Sequence, residues 1–89
     1  MKMIIAIVDD NIYPQISQAL LNSNFRVTRL ATTSGFLRGG ETSMFVGVDN
    51  HQVDNALQII RDQIPTSLDT DKKQATIYVL NVKSFNHLL

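Results

Sequence analysis

Met3-Ile4-Ile5-Ala6-Ile7-Val8 is a continuous apolar run, and Asp9-Asp10-Asn11 stops it at once. Its length, its isoleucine and valine content and the turn-forming residues behind it predict a central β-strand covered on both faces. A short buried helix has the same periodicity. The strand reading decides the rest of the chain. A single lysine precedes the run and two aspartates follow it. The run is therefore at the short edge for a signal-peptide core and far too short to span a bilayer, so the expected location is the cytoplasm, with no membrane partner.

Downstream of this strand, Ile12, Ile16, Ala19, Leu20 and Ser23 recur at helical spacing. Asp10 or Asn11 is the expected cap, and Pro14 falls in the first turn, where a missing N–H costs little. Asn22-Ser23-Asn24 ends that helix. Residues 25–30 predict an edge strand. Phe25, Val27 and Arg29 share one face, and Arg26, Thr28 and Leu30 share the other. Residues 31–42 read as a loop, with three glycines (Gly35, Gly39, Gly40) and the hydroxyl run Thr32-Thr33-Ser34. Residues 43–48 predict a third strand, and Gly47 inside it marks a bulge or a close approach to the backbone.

Asp49 and Gln52 have the spacing of a capping box. Val53, Ala56, Leu57 and Ile60 supply the apolar stripe of a second helix, closed by Ile64-Pro65. Residues 65–74 are polar and read as a solvated connection, and residues 75–82 predict a fourth strand. The order βαββαβ is the ferredoxin-like motif, an α+β fold with a four-stranded antiparallel sheet and two helices on one face. A single domain over residues 1–89 is expected. The second sheet face is then left without helices, which favours oligomerisation through it.

Composition narrows the function. Of 89 residues, 44% are apolar and 18% charged, which excludes a highly charged disordered chain. Eight basic residues balance eight acidic ones, so global attraction to nucleic acid or anionic membrane has no basis. There is no cysteine, hence no disulfide, thiolate metal site or cysteine nucleophile. His51 sits at the start of the second helix and His87 close to the last residue. No triad spacing, H-E-x-x-H or P-loop accompanies them. Asp9-Asp10 could hold magnesium, but adjacent carboxylates beside a helix N-terminus are explained by its dipole. Catalysis, a metal and a cofactor are therefore not expected. RNA recognition by a βαββαβ module needs aromatics on both central strands. The first strand has none and the third has Phe45.

Residues 24–47 carry the signal. A glycine- and hydroxyl-rich loop can cradle phosphate with its amides, and Arg26, Arg29 and Arg38 can pair with phosphate oxygens. Phe36-Leu37 sits in the middle of that loop. The pair wants a surface to cover, either a neighbouring subunit or a nucleobase. Folding back on the core fits the pattern equally well.

Met1-Lys2-Met3-Ile4-Ile5-Ala6-Ile7-Val8 and the stretch Asn24-Phe25-Arg26-Val27-Thr28-Arg29-Leu30-Ala31-Thr32-Thr33-Ser34-Gly35-Phe36-Leu37-Arg38 resemble the PII-like cyclic di-AMP receptor family. The likeness continues through Val46-Gly47-Val48, Val53-Asp54 and Ala75-Thr76-Ile77-Tyr78-Val79-Leu80. The resemblance implies a non-catalytic homotrimer that binds cyclic di-AMP between subunits and signals to a downstream protein not named by the sequence. Asn24, Arg26 and Thr28 would contact the nucleotide from the edge strand. Gly35, Phe36, Leu37 and Arg38 would line the pocket, and Gly47 would let a base lie against the backbone.

Several positions depart from the family's pattern. Ser34 stands for a glycine, Glu41 for an asparagine that helps hold the ligand, and His87 for a glutamine that reaches a base. The connection at residues 65–74 is much shorter than the family's long loop. Two alternatives follow from these departures: a trimeric interaction protein without a nucleotide, or a receptor for another nucleotide such as ATP.

Overall fold

The computed structural model describes residues 1–33, 40–64 and 75–82. The order is β1 (Lys2–Asp9), α1 (Tyr13–Asn22), β2 (Thr28–Thr33), β3 (Glu41–Val48), a 3-10 turn (Asn50–Gln52), α2 (Val53–Asp62) and β4 (Ala75–Asn81). The strands form one sheet in the order β2-β3-β1-β4, antiparallel at every neighbour. This is the expected ferredoxin-like α+β arrangement, with β1 central and β2 at an edge.

The core is set by period-2 alternation on the central strands meeting period-3.6 stripes on the helices. Ile4, Ala6 and Val8 of β1 and Thr42, Met44, Val46 and Val48 of β3 are buried. Against them pack Ile12 before α1, Ile16 and Leu20 from α1, and Ala56 and Ile60 from α2. Burying a side chain of this size contributes about 1.5–3 kcal/mol.

Both helices lie on that one side, so the expectation that β1 is covered on both faces is corrected. Met3, Ile5 and Ile7 alternate with the core residues and remain half-buried. The continuous apolar run reflects one face for the core and a second, open face. Across the open face, Phe45 of β3 lies opposite Ile5, and Ile5 lies opposite Tyr78 of β4. Leu80 lies opposite Met3.

Four local expectations shift, and the simplest is that β3 starts at Glu41 where residues 43–48 were expected. Asp10 and Asn11 do not cap α1. The chain first turns, with the Ile12 amide donating to the Asp9 carbonyl, and the N-cap is Ile12 without a side-chain bond. Pro14 does fall in the first turn. The capping box at Asp49 and Gln52 is present, and the Asp49 amide donates to Gln52 Oε1 at 3.0 Å. It opens the 3-10 turn, and α2 follows directly.

The largest shift is in β2, which starts at Thr28 and runs to Thr33 where residues 25–30 were expected. Phe25 is consumed in ending α1. Its amide donates to the Leu20 carbonyl at 3.0 Å, the Asn24 amide donates to the Leu21 carbonyl, and Phe25 is buried in the same core as Leu20. That is a Schellman closure, in which the residue after the cap takes a left-handed conformation. Asn24 has φ 67°, and it is the non-glycine residue with positive φ among the described residues. The chain is free to pair with β3 only after this closure.

Candidate functional site

The helix end delivers the first group of residues. Asn24 and Arg26 are exposed in the segment between α1 and β2, and Thr28 is exposed as the first residue of β2. Arg26 thus precedes the ladder and is not one of its members. Thr28 lies opposite Phe45, on the open side of the sheet, two residues from Gly47 along β3. Gly47 lies opposite Met3.

Past Thr28 the edge strand carries a bulge. Arg29 pairs with Met44 and Ala31 with Ser43, so Leu30 is the extra residue. A bulge re-aims the residues around it. Arg29 is on the helix side, its guanidinium 5.8 Å from the centre of the Tyr13 ring of α1. The structure separates it from Thr28, and the idea that it joins a phosphate cluster is not supported. Its cation–π contact ties the edge strand to α1 instead.

Glu41 marks the second group. It is exposed at the start of β3, opposite Asp9 on one side and Thr33 on the other. Six residues of extended chain separate it from Gly47, about 20 Å. Asn24, Arg26, Thr28 and Gly47 thus gather toward one end of β3, and Glu41 stands at the other. Gly35, Phe36, Leu37, Arg38 and His87 lie outside the described residues, as does the connection at residues 65–74.

Sequence reasoning missed a contact beside Glu41. The Thr42 hydroxyl donates to Asp10 Oδ1. The signal was available: Thr42 falls in the buried phase of β3 with Met44, Val46 and Val48, and a polar residue on a buried face needs a partner. Asp9 accepts from the Asn11 amide at 3.3 Å. Among the described residues no group of three or more His, Cys, Asp or Glu side chains is placed to hold a metal ion. His51 is exposed in the 3-10 turn. Among the described residues no helix is long and apolar enough to cross a membrane.

Compared with known families, the chain matches the family described as "Cyclic-di-AMP receptor" over residues 1–70. The chain belongs to the cyclic-di-AMP receptor family. The matched stretch contains β1, α1, β2, β3 and α2, and it ends before β4. The chain is also similar to a crystal structure of a functionally unknown protein from Pediococcus pentosaceus ATCC 25745. The two share 30% identity at a TM-score of 0.75, over 98% of this chain and 96% of that one. A family of receptors points to binding as the activity.

Proposed function

We propose that this protein is a non-catalytic, PII-like signalling receptor that binds cyclic di-AMP in the clefts between the subunits of a homotrimer. The observation that carries the reading is the receptor-family match over residues 1–70. Arg26 supplies the cation for phosphate, and Asn24 and Thr28 supply hydrogen bonds. Gly47 leaves room for a base, Gly35, Phe36, Leu37 and Arg38 form the loop side, and Glu41 and His87 complete the site. The two groups at opposite ends of β3 favour a cleft between chains, where one ligand meets one end of each. The open sheet face favours assembly as well: Tyr78 is 52% exposed and Leu80 44%, beside half-buried Met3, Ile5 and Phe45. The receptor acts in the cytoplasm through a downstream protein.

Glu41 opposite Asp9 favours a second reading, a trimeric interaction protein that has lost the nucleotide. Two carboxylates at the loop side of the site oppose a dianionic ligand. Isothermal titration with cyclic di-AMP, using ATP and cyclic di-GMP as controls, decides between them. Micromolar or tighter binding of cyclic di-AMP at one site per chain supports the receptor. Absence of heat with all three, from a folded trimer, supports the interaction protein. ATP binding alone moves the assignment to another nucleotide.

A further inference from the structure

The turn between β1 and α1 meets the chain where it returns to the sheet at Gly40. The Asp10 amide donates to the Gly40 carbonyl at 3.0 Å, and the Asp10 carboxylate accepts from the Thr42 hydroxyl. One residue therefore holds the neighbours of Glu41 on both sides. Gly40 is buried, Thr42 is 2% exposed and Asp10 is half-buried, so both bonds are partly shielded from water. A hydroxyl donating to a carboxylate makes one of the stronger hydrogen bonds available to a neutral donor. Across the ladder Glu41 is also the partner of Thr33, the last residue of β2. The grip on residues 40–42 thus anchors the end of the β2–β3 hairpin at which Glu41 stands.

We propose that Asp10 is a positioning residue for the receptor site, fixing the 40–42 stem through Gly40 and Thr42 without touching the ligand. This rests on the receptor reading above. A stem already held in place loses little freedom when a ligand binds, and a loose one must be ordered at the expense of affinity. The sign of the effect separates this role from simple electrostatics. Asp10 is an anion near a site for an anion, so charge alone predicts that its removal tightens binding. The positioning role predicts the reverse for Asp10→Ala.

The test uses Glu41→Asn protein for the titrations, so that release of the Glu41 carboxylate is not mistaken for an effect of the stem. Cyclic di-AMP is titrated into this protein alone and with Asp10→Ala, Asp10→Asn, Thr42→Val or Thr42→Ser added. Asp10→Ala and Thr42→Val weaken binding about tenfold, each having lost the partly shielded hydrogen bond between Thr42 and Asp10. Asp10→Asn retains an acceptor oxygen and Thr42→Ser retains the hydroxyl, so both stay within about threefold of the parent. Valine matches threonine in shape and sits among Met44 and Val46, so Thr42→Val still tests the stem should Asp10→Ala fail to fold. Amide hydrogen exchange on the ligand-free native chain gives a second readout. The Asp10 amide exchanges about tenfold faster in Thr42→Val than in the native chain, because the stem that it holds is looser. Unchanged or tighter binding in Asp10→Ala and Thr42→Val overturns the proposal. If neither the native chain nor the Glu41→Asn parent binds cyclic di-AMP, the receptor reading fails on its own, and unchanged Asp10 protection in Thr42→Val then overturns the stem as well; if only the native chain binds, the same substitutions are made in it and read the same way.

Discussion

Glu41 and Asp9 are cross-strand partners, the last pair of the β1–β3 ladder. Glu41 is exposed and Asp9 half-buried, so two carboxylates occupy the end of the sheet from which the proposed ligand loop departs. In the receptor reading Glu41 opposes a dianionic nucleotide by about 1–3 kcal/mol, up to a hundredfold in affinity. Glu41→Asn is expected to tighten cyclic di-AMP binding by as much as that, measured by isothermal titration. A weaker complex would show that the Glu41 carboxylate accepts a hydrogen bond from the ligand.

Arg26 is exposed immediately before the paired part of β2 and contributes nothing to the core. Arg26→Ala is therefore expected to abolish cyclic di-AMP binding while the melting temperature and the trimer are retained. Titration together with analytical ultracentrifugation checks both halves. Unchanged affinity would remove Arg26 from the site.

Asn24 has a double role in the receptor reading, and two substitutions separate the parts. Its left-handed conformation closes α1. Glycine adopts that conformation freely, whereas alanine loses about 1 kcal/mol there. Asn24→Gly should keep the thermal stability and weaken ligand binding through the lost amide. Asn24→Ala should lower both. A glycine variant that binds as tightly as the native chain would confine Asn24 to helix termination.

The open face gives a prediction about assembly. Tyr78 is half exposed in the single chain, on the same side of the sheet as Ile5. Tyr78→Lys places a charge where the proposed trimer buries apolar surface, so sedimentation should show monomers with an unchanged far-ultraviolet circular dichroism spectrum. A trimer that survives this substitution would place the subunit contact elsewhere.

Much of the architecture was legible along the chain. The run from Met3 to Val8, the helical spacing of Ile12, Ile16 and Leu20, the capping box at Asp49 and Gln52 and the apolar β4 each report a local preference. A local pattern suffices where burial follows a simple period. The stretch from Asn24 to Arg38 made the family recognisable as well. The boundaries of β2 were harder to read. Phe25 satisfies a strand pattern as readily as a helix-closing one, and its burial in the core together with its amide bond to the Leu20 carbonyl decides between them.

The sequence by itself determined the order of elements, the receptor family and the helix stripes that reach the core, Ile16 and Leu20 on α1 and Ala56 and Ile60 on α2, because hydrophobic periodicity and turn chemistry act over a few residues. The tertiary structure alone decided the faces and the partners. The bulge at Leu30 leaves Thr28 on the open side and Arg29 over Tyr13. The β1–β3 register sets Glu41 against Asp9, and the β1–α1 turn brings Asp10 to Thr42, 32 residues away along the chain. Such contacts depend on register, and a shift of one residue moves every side chain to the other face. Only the assembled sheet settles that register.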